Sequence, residues 1–544
     1  MGKKIKKIML IQPPVSRPCD FSAEVVRVSP FLPLGIAYLA GYLEKSNKYE
    51  IKIFDALIEG DINQGAYFNN GEMIRYGLTD EEIAQGIRDF SPDVVGVSCL
   101  FSAMEPDMAN VCKVVKSIDP DIITVVGGAH ISAISNTILQ KYEAIDFAVI
   151  GEGEIAFSNL LKALVAEDNF SKLDGIIFRD NSKIKILPKA QYIEDLDSLP
   201  FPALHLFSME KYFLHALAQT TYRRTPFTQI ITSRGCPCKC SFCAIGKHWG
   251  GNQRIRSAKN VLDEIEGLIK NYGIQEIHFE DENLTADRKR ARELFDGMIE
   301  RNFSISWNVP TGMAVYSLDE ELLIKMKASG CYSVALGIES GNQEVLTKLM
   351  NKPVNLKIVP SLVRKIKEAG MDARGYFIIG YPGETKGTIR ETIGFAKSLE
   401  LDWAYFFIAS PIPSTEMYKT CIEKGYIKEG DFDPIRSMRK SIIRTPEFDP
   451  EYLEKVREEA IIDVNFRNNP NLLKYDIGKA INSFAEVLKL YPHFDFANFY
   501  LGEAYLKKQD IEKAVDSYQK TLKVNPSHKE ARQRLKELGQ SALR

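Results

Sequence analysis

The chain has 544 residues, 45% of them hydrophobic and 26% charged, with a formal net charge of −2. That supports about two to four domains with real cores and excludes the basic excess of a nucleic-acid or anionic-membrane protein. No apolar run reaches the roughly eighteen residues of a membrane span. The start, MGKKIKKIMLIQPP, lacks the long apolar stretch and small-residue cleavage site of a signal peptide. A cytoplasmic setting is therefore expected, where structural disulfides are rare.

The fold class expected is α/β. The runs IKKIMLIQ, YEIKIFDA, DVVGVSCL, IITVVGGA and IDFAVIGE alternate with helix-period segments through residue 165. Short buried strands joined by helices predict a parallel, doubly wound, Rossmann-like domain over 1–165. LDGIIFRDNSKIKILP reads as a hairpin turning at Asp180-Asn181, and DLDSLPFPALHLF as a linker, giving a segment 166–215. From Thr228 a second alternation, FTQIITSR, EIHFEDEN, SISWNVP, SVALGIES, ARGYFIIG and AYFFIASP, predicts a partial (β/α)6 barrel over 216–445, with its chemistry at the C-terminal strand ends. A helical connector, 446–474, leads to an all-α tail, 475–544. There KAINSFAEVLKLYP (Lys479–Pro492) aligns with KAVDSYQKTLKVNP (Lys513–Pro526) at an offset of 34, the tetratricopeptide period, and ARQRLKELG reads as a capping helix.

Four of the nine cysteines crowd into GCPCKCSFC, Gly235–Cys243. Disulfides, a zinc site and an iron–sulfur cluster compete to explain them. A closed zinc site needs four ligands, usually as two separated pairs, and no second pair follows. Including Cys238 would wrap one tetrahedron awkwardly. Three thiolates at C-x3-C-x2-C spacing (Cys236, Cys240, Cys243) on a four-iron cluster would leave one iron open to chelation. Cys19, Cys99, Cys112, Cys331 and Cys421 are scattered, as core or surface residues are.

This loop, placed after the first strand of a βα barrel, resembles the radical S-adenosylmethionine (SAM) enzymes over roughly residues 225–420. Phe242 before the last cysteine, HFEDENLT (His278–Thr285), GIESG (Gly337–Gly341) and FIIGYPGET (Phe377–Thr385) match that family's strand-end segments in order. The resemblance implies a [4Fe-4S] cluster on Cys236, Cys240 and Cys243. It also implies SAM contacts from Phe242, Glu280, Gly337, Glu339, Ser340 and Arg374, with Cys238 a neighbouring free thiol. For Glu339 and Ser340 the competing reading is a closed turn and a helix cap; Tyr381 and Glu384 line the pocket or shape the Pro382-Gly383 turn.

The N-terminal domain carries Ser98, Gly127, Gly128, Gly151 and Gly153 at predicted strand ends, where glycines admit a ligand close to the backbone. With PLGIAYLAGYLE, VVGGAH and IGEGE it resembles the cobalamin-binding domain preceding many radical SAM barrels, and those residues would border cobalamin. The D-x-H-x-x-G motif that donates a cobalt-binding histidine is missing after the first strand. DALIEG (Asp55–Gly60) has Leu57 at the histidine position. Base-off cobalamin without a histidine ligand is the expectation, with His130 packing at its loop.

The resemblance implies methylation of an unactivated carbon or phosphorus through a 5′-deoxyadenosyl radical and methylcobalamin. The alternative is non-methylating radical chemistry, such as ring formation, oxidation or carbon–carbon coupling. A tetratricopeptide scaffold on an inactive barrel is a third reading. The expected partners are a small-molecule or lipid-like substrate, an electron donor such as flavodoxin or ferredoxin, and a protein docked on the helical tail unless that tail packs on the barrel as a lid. PIPST (Pro411–Thr415) has Ser414 where relatives carry a turn glycine, so the turn there is expected to differ.

Overall fold

The structure is a computed structural model that describes residues 4–19, 30–166, 168–181, 183–214, 222–428, 430–432 and 440–539. In the N-terminal domain β1 (Lys7–Gln12), β2 (Glu50–Asp55), β3 (Val94–Ser98), β4 (Ile123–Gly127) and β5 (Phe147–Val149) run parallel in the order β5-β4-β3-β1-β2. The four inner strands are buried on both faces, and the edge strand β2 is only partly buried. Helices Leu34–Glu44 and Gly153–Ala166 cover one face, and Asp80–Phe90 and Glu105–Ile118 the other. Thr79 and Glu82 form a reciprocal capping box that starts the helix Asp80–Phe90.

Two features differ from the expectation. The hairpin expected to lie outside the 1–165 domain, β6 (Ile176–Asp180) and β7 (Lys183–Ile186), continues the same sheet antiparallel to β5. Ile176 and Ile177 are fully buried, one on each face, which ties the hairpin to the domain core. Residues Val15–Pro18, Asp61–Phe68 and Met73–Gly77 form a small antiparallel sheet that the polar composition of INQGAYFNNGE conceals. Leu57 packs beneath it with Ile62, Ile74 and Tyr76. The Asp55 carboxylate accepts the amides of Leu57 and Ile58, so DALIEG is a turn over a core leucine.

The barrel strands are β8 (Phe227–Ile230), β9 (Glu276–Phe279), β10 (Ser306–Asn308), β11 (Ser333–Glu339), β12 (Asp372–Ile379) and β13 (Trp403–Ile408). They pair in parallel as β8-β9-β10 and β11-β12-β13, joined by bridges at Trp307–Cys331 and Met313–Leu336. The six predicted strands are all present. The first stops at Ile230, and Ser233-Arg234 pairs instead with Arg254-Ile255.

The connector and tail close what the partial barrel leaves open. Beyond the helix Pro450–Ile462, Asn465 accepts from the Ala404 amide (2.8 Å) and donates to the Ala404 carbonyl (2.7 Å), doing on β13 what a neighbouring strand would do. Asn465→Ala is expected to lower stability by about 1–3 kcal/mol, seen as a lower Tm with iron content unchanged. The tail comprises helices Ile477–Leu490, Asp495–Lys507, Ile511–Val524 and the capping Lys529–Glu537. A Cβ on Gly502 would lie 2.5 Å from the Tyr518 ring, so this glycine lets two repeat helices close together. Lys479 pairs with Asp372 (2.8 Å), at the start of β12, and the tail's aromatic cluster reaches Trp403, at the start of β13. The tail therefore docks beneath the barrel, on the rim opposite the strand C-termini, and is not a lid.

Ser414 sits at φ +75° with its hydroxyl buried and unpartnered. Ser414→Gly is expected to stabilise the protein by about 0.5–1 kcal/mol, measurable as a raised denaturation midpoint.

Candidate active site

The cysteine loop enters through Gly235, at φ +83°, where a Cβ would come within 2.4 Å of the Asn252 carbonyl. The loop is then stitched to the segment after β11. The Ser241 amide donates to Met350 O (2.9 Å), the Ser241 hydroxyl donates to Leu349 O (2.7 Å), and Asn351 Nδ2 donates to Lys239 O (2.8 Å). Tyr381 OH, beyond β12, lies 2.7 Å from the same serine hydroxyl. Tyr381 thus positions the loop, while Glu384 shapes its own turn by accepting the Tyr381 amide. Cys236, Cys238 and Cys240 are half-buried and Cys243 is exposed, all as free thiols; Cys238 Sγ lies 3.6 Å from Tyr316 OH. Burial pushes the Cys240 thiol up to about 12, so metal binding there must displace a proton. Among the described residues no three thiol, imidazole or carboxylate groups converge on a single-ion site. The nearby His248 is already engaged by Ser132. The donor set is three soft thiols, Cys236, Cys240 and Cys243, on one anchored loop, and it fits an iron–sulfur cluster with one iron left open.

Lys352 and Glu282 carry the site's electrostatics and escaped sequence reading. Glu339 ends β11 at φ +69°, beside a register shift, and accepts from Lys352 Nζ (2.9 Å). Gly337 leaves the space: a Cβ there would lie 3.1 Å from Glu339 Oε1 and 3.2 Å from Lys352 Nζ. Lys352 Nζ also stands 5.9 Å from the centroid of the Phe242 ring. Within EDEN the acid beside the cysteine loop is Glu282, which accepts from Trp249 Nε1 (2.6 Å) and is pushed up to about 7 mainly by burial. Glu280 instead accepts from Gln229 (3.1 Å), and burial raises its carboxyl. Asp281 is fully buried, holding Thr232 and Ser233. No periodicity marks Lys352 in the loop NKPVN or separates Glu282 from its neighbours.

Two predicted SAM residues are placed otherwise. Ser340 is fully buried, accepts the Asn342 amide (3.1 Å) and lies 3.1 Å from the Thr392 hydroxyl. It closes the turn. Arg374 is five residues before the end of β12, about 16 Å down the strand, where Nη1 donates to Tyr405 OH (3.1 Å). That is the lower barrel, away from the cysteine loop.

At the cobalamin-like edge, Ser98 is half-buried at the end of β3, and Gly127 and Gly153 are open: a Cβ on Gly127 would meet only Val149, and one on Gly153 nothing within 4 Å. Gly128 and Gly151 have protein reasons. A Cβ on Gly128 would strike Cys99 O at 2.4 Å, and one on Gly151 would press on His248 O and Lys189 at 3.1 Å. Leu100 and Phe101, just past β3, are 39% and 44% exposed. Gln12 Oε1, at the end of β1, is buried without a partner. Open glycines, exposed apolar side chains and an unsatisfied acceptor fit an amide-rimmed apolar macrocycle. His130 Nε2 is 2.8 Å from Glu105, packed as expected.

The two edges meet. Arg234, two residues before Cys236, donates to Glu152 (2.9 Å) and Glu154 (2.6 Å), and Arg254 donates to Glu152 (2.7 Å), all buried. Burial pushes His248 down to about 4, with Arg234 adding to the effect, so it is neutral at ordinary pH.

Residues 25–161 match the B12 binding domain, 230–396 the radical SAM superfamily and 496–528 a tetratricopeptide repeat. The chain is 34% identical over 472 residues to the cytidylyl-2-hydroxyethylphosphonate methyltransferase of Streptomyces wedmorensis, covering 82% of this chain and 87% of that protein. It is 28% identical to the anaerobic magnesium-protoporphyrin IX monomethyl ester cyclase of Rubrivivax gelatinosus, over 72% of this chain and 66% of that one. The fold matches the radical SAM methyltransferase TsrM of Kitasatospora setae, solved with cobalamin and a [4Fe-4S] cluster, at a TM-score of 0.66 and 16% identity, covering 94% of this chain and 99% of that one. A cysteine-loop βα barrel behind a doubly wound domain defines a radical SAM enzyme with a B12-binding module. The chain belongs to the radical SAM enzymes that carry a B12-binding domain.

Proposed function

We propose that this enzyme methylates an unactivated carbon or phosphorus centre of a small-molecule or lipid-like substrate. Bound, the cluster, SAM and cobalamin supply one-electron cleavage of a sulfonium and a transferable methyl group. Cys236, Cys240 and Cys243 hold the cluster. Phe242 and Gly337 border SAM, Glu339 takes its ribose and Glu282 its amino group, with Lys352 fixing the Glu339 carboxylate. Gln12, Ser98, Gly127 and Gly153 would border cobalamin, and with Leu57 at the D-x-H-x-x-G histidine position that motif would offer cobalt no histidine. Tyr376, Tyr405 and the half-exposed Phe407 give the barrel interior an aromatic wall for substrate. A low-potential carrier such as flavodoxin or ferredoxin supplies electrons, and the tail offers a protein-docking surface in the cytoplasm.

The observation that carries this reading is the meeting of the two edges: the residues beside the cysteine loop are ion-paired to those beside the cobalamin glycines. The test is iron and cobalt content after anaerobic purification from cobalamin-supplied cells, followed by assay with methyl-labelled SAM. About four irons and one cobalt per chain, with label in a product, is the expected result. Four irons without cobalt would favour non-methylating radical chemistry, the reading suggested by the cyclase likeness.

A further inference from the structure

The cysteine loop is held at both ends by the N-terminal domain. At its start Arg234 is bound to Glu152 and Glu154. At its end the helix Ile245–Trp249 packs on the helix Ala129–Ala133 that follows Gly128. One hydroxyl centres this second contact. Ser132 Oγ donates to Gly128 O (3.0 Å), accepts the Gly151 amide (2.9 Å) and lies 3.2 Å from His248 Nδ1. With its proton on Gly128, that hydroxyl is left as an acceptor, which suits the His248 tautomer that carries its proton on Nδ1. Arg254 joins the two ends, since it binds Glu152 and also donates to Trp249 O (2.9 Å).

We propose that Ser132 and His248 are positioning residues that set the place of the cysteine loop, and hence of its cluster, relative to the cobalamin edge. Neither touches the reacting atoms. Ser132 gathers the loops after β4 and β5 into one hydrogen-bonded point, and His248 ties that point to the helix that begins two residues after Cys243. The two cofactors then keep a fixed separation although separate domains carry them. The inference rests on the reading that both cofactors bind.

The test uses full-length holoenzyme loaded anaerobically, with iron and cobalt counted first. The separation between reduced cluster and cob(II)alamin is read as magnetic coupling by pulsed electron paramagnetic resonance in wild type, His248→Leu, His248→Gln and Ser132→Ala. Expected is a narrow distance distribution in wild type, a broadened or displaced one in His248→Leu and Ser132→Ala at unchanged metal content, and recovery in His248→Gln, which keeps a polar partner for Ser132. Distributions matching wild type in both disruptive variants would overturn the proposal. If wild type retains no cobalt, the proposed function fails, and amide hydrogen exchange on the same proteins decides the positioning role. Faster exchange that spreads from residues 245–249 into 128–133 in His248→Leu upholds it; exchange confined to the mutated segment overturns it. Should His248→Leu fail to fold, Ser132→Ala alone carries both readouts.

Discussion

Arg234→Met is expected to cost the folded protein about 3–5 kcal/mol, the usual penalty for removing one partner of a buried ion pair. The side chains of Arg234, Glu152, Glu154 and Arg254 are all no more than 6% exposed. Glu152 keeps Arg254 after the substitution, whereas among the described residues Glu154 pairs with Arg234 alone. In the native protein burial raises the Glu154 carboxyl and Arg234 more than reverses this, leaving it below its ordinary value. Glu154 ionisation therefore stabilises the native fold above the unfolded-state pKa, and this contribution is lost as pH falls through the folded value. Without Arg234 the burial penalty is opposed mainly by the backbone amide of Glu154 itself, the carboxyl moves up, and the variant loses stability as pH rises. The Tm deficit is accordingly expected to be largest near about pH 8 and to shrink toward about pH 4. A deficit independent of pH would mean that lost packing on Tyr38 and Trp249, over whose rings the guanidinium lies, dominates instead.

Alanine at Cys236, Cys240 or Cys243 is expected to abolish stable cluster binding, taking iron from about four per chain to near zero, with loss of the visible charge-transfer absorption and of SAM cleavage. Cys238→Ala should keep full iron. Its sulfur lies against Tyr316, itself bonded to Asn283, an arrangement that needs no metal. Iron lost from Cys238→Ala and kept in one of the other three would reassign the triad. The thermal transition separates cluster loss from unfolding, since the loop's backbone anchors at Ser241 and Lys239 do not involve the thiols.

The barrel, the doubly wound domain and the repeat tail were legible because each has its own period: alternating buried strands in the first two, and a 34-residue repeat in the third. The cysteine loop was legible because thiol spacing is local. Long-range placement was not. Ser340 and Glu339 are adjacent in sequence, yet a register shift and a positive φ at Glu339 leave one buried in a turn and the other paired to Lys352. Arg374 looked attached to the site because it lies near FIIGYPGET, but strand direction carries it to the lower barrel. Gly128 and Gly151 read as ligand glycines, whereas Cys99 and His248, distant in sequence, supply the close contacts that demand them.

The side chain that completes the β13 edge has a practical consequence for dissecting this enzyme. A shortened protein ending near residue 445, the natural cut if the helical tail were a detachable accessory, would lose Asn465 and bare the Ala404 amide and carbonyl. It would also strip Phe466 and Phe484 from Trp403. Such a bare strand margin is a template for copies to pair edge to edge. The minimal catalytic fragment therefore extends well into the helices, and aggregation of a shorter one would report a torn sheet margin rather than a barrel unable to fold.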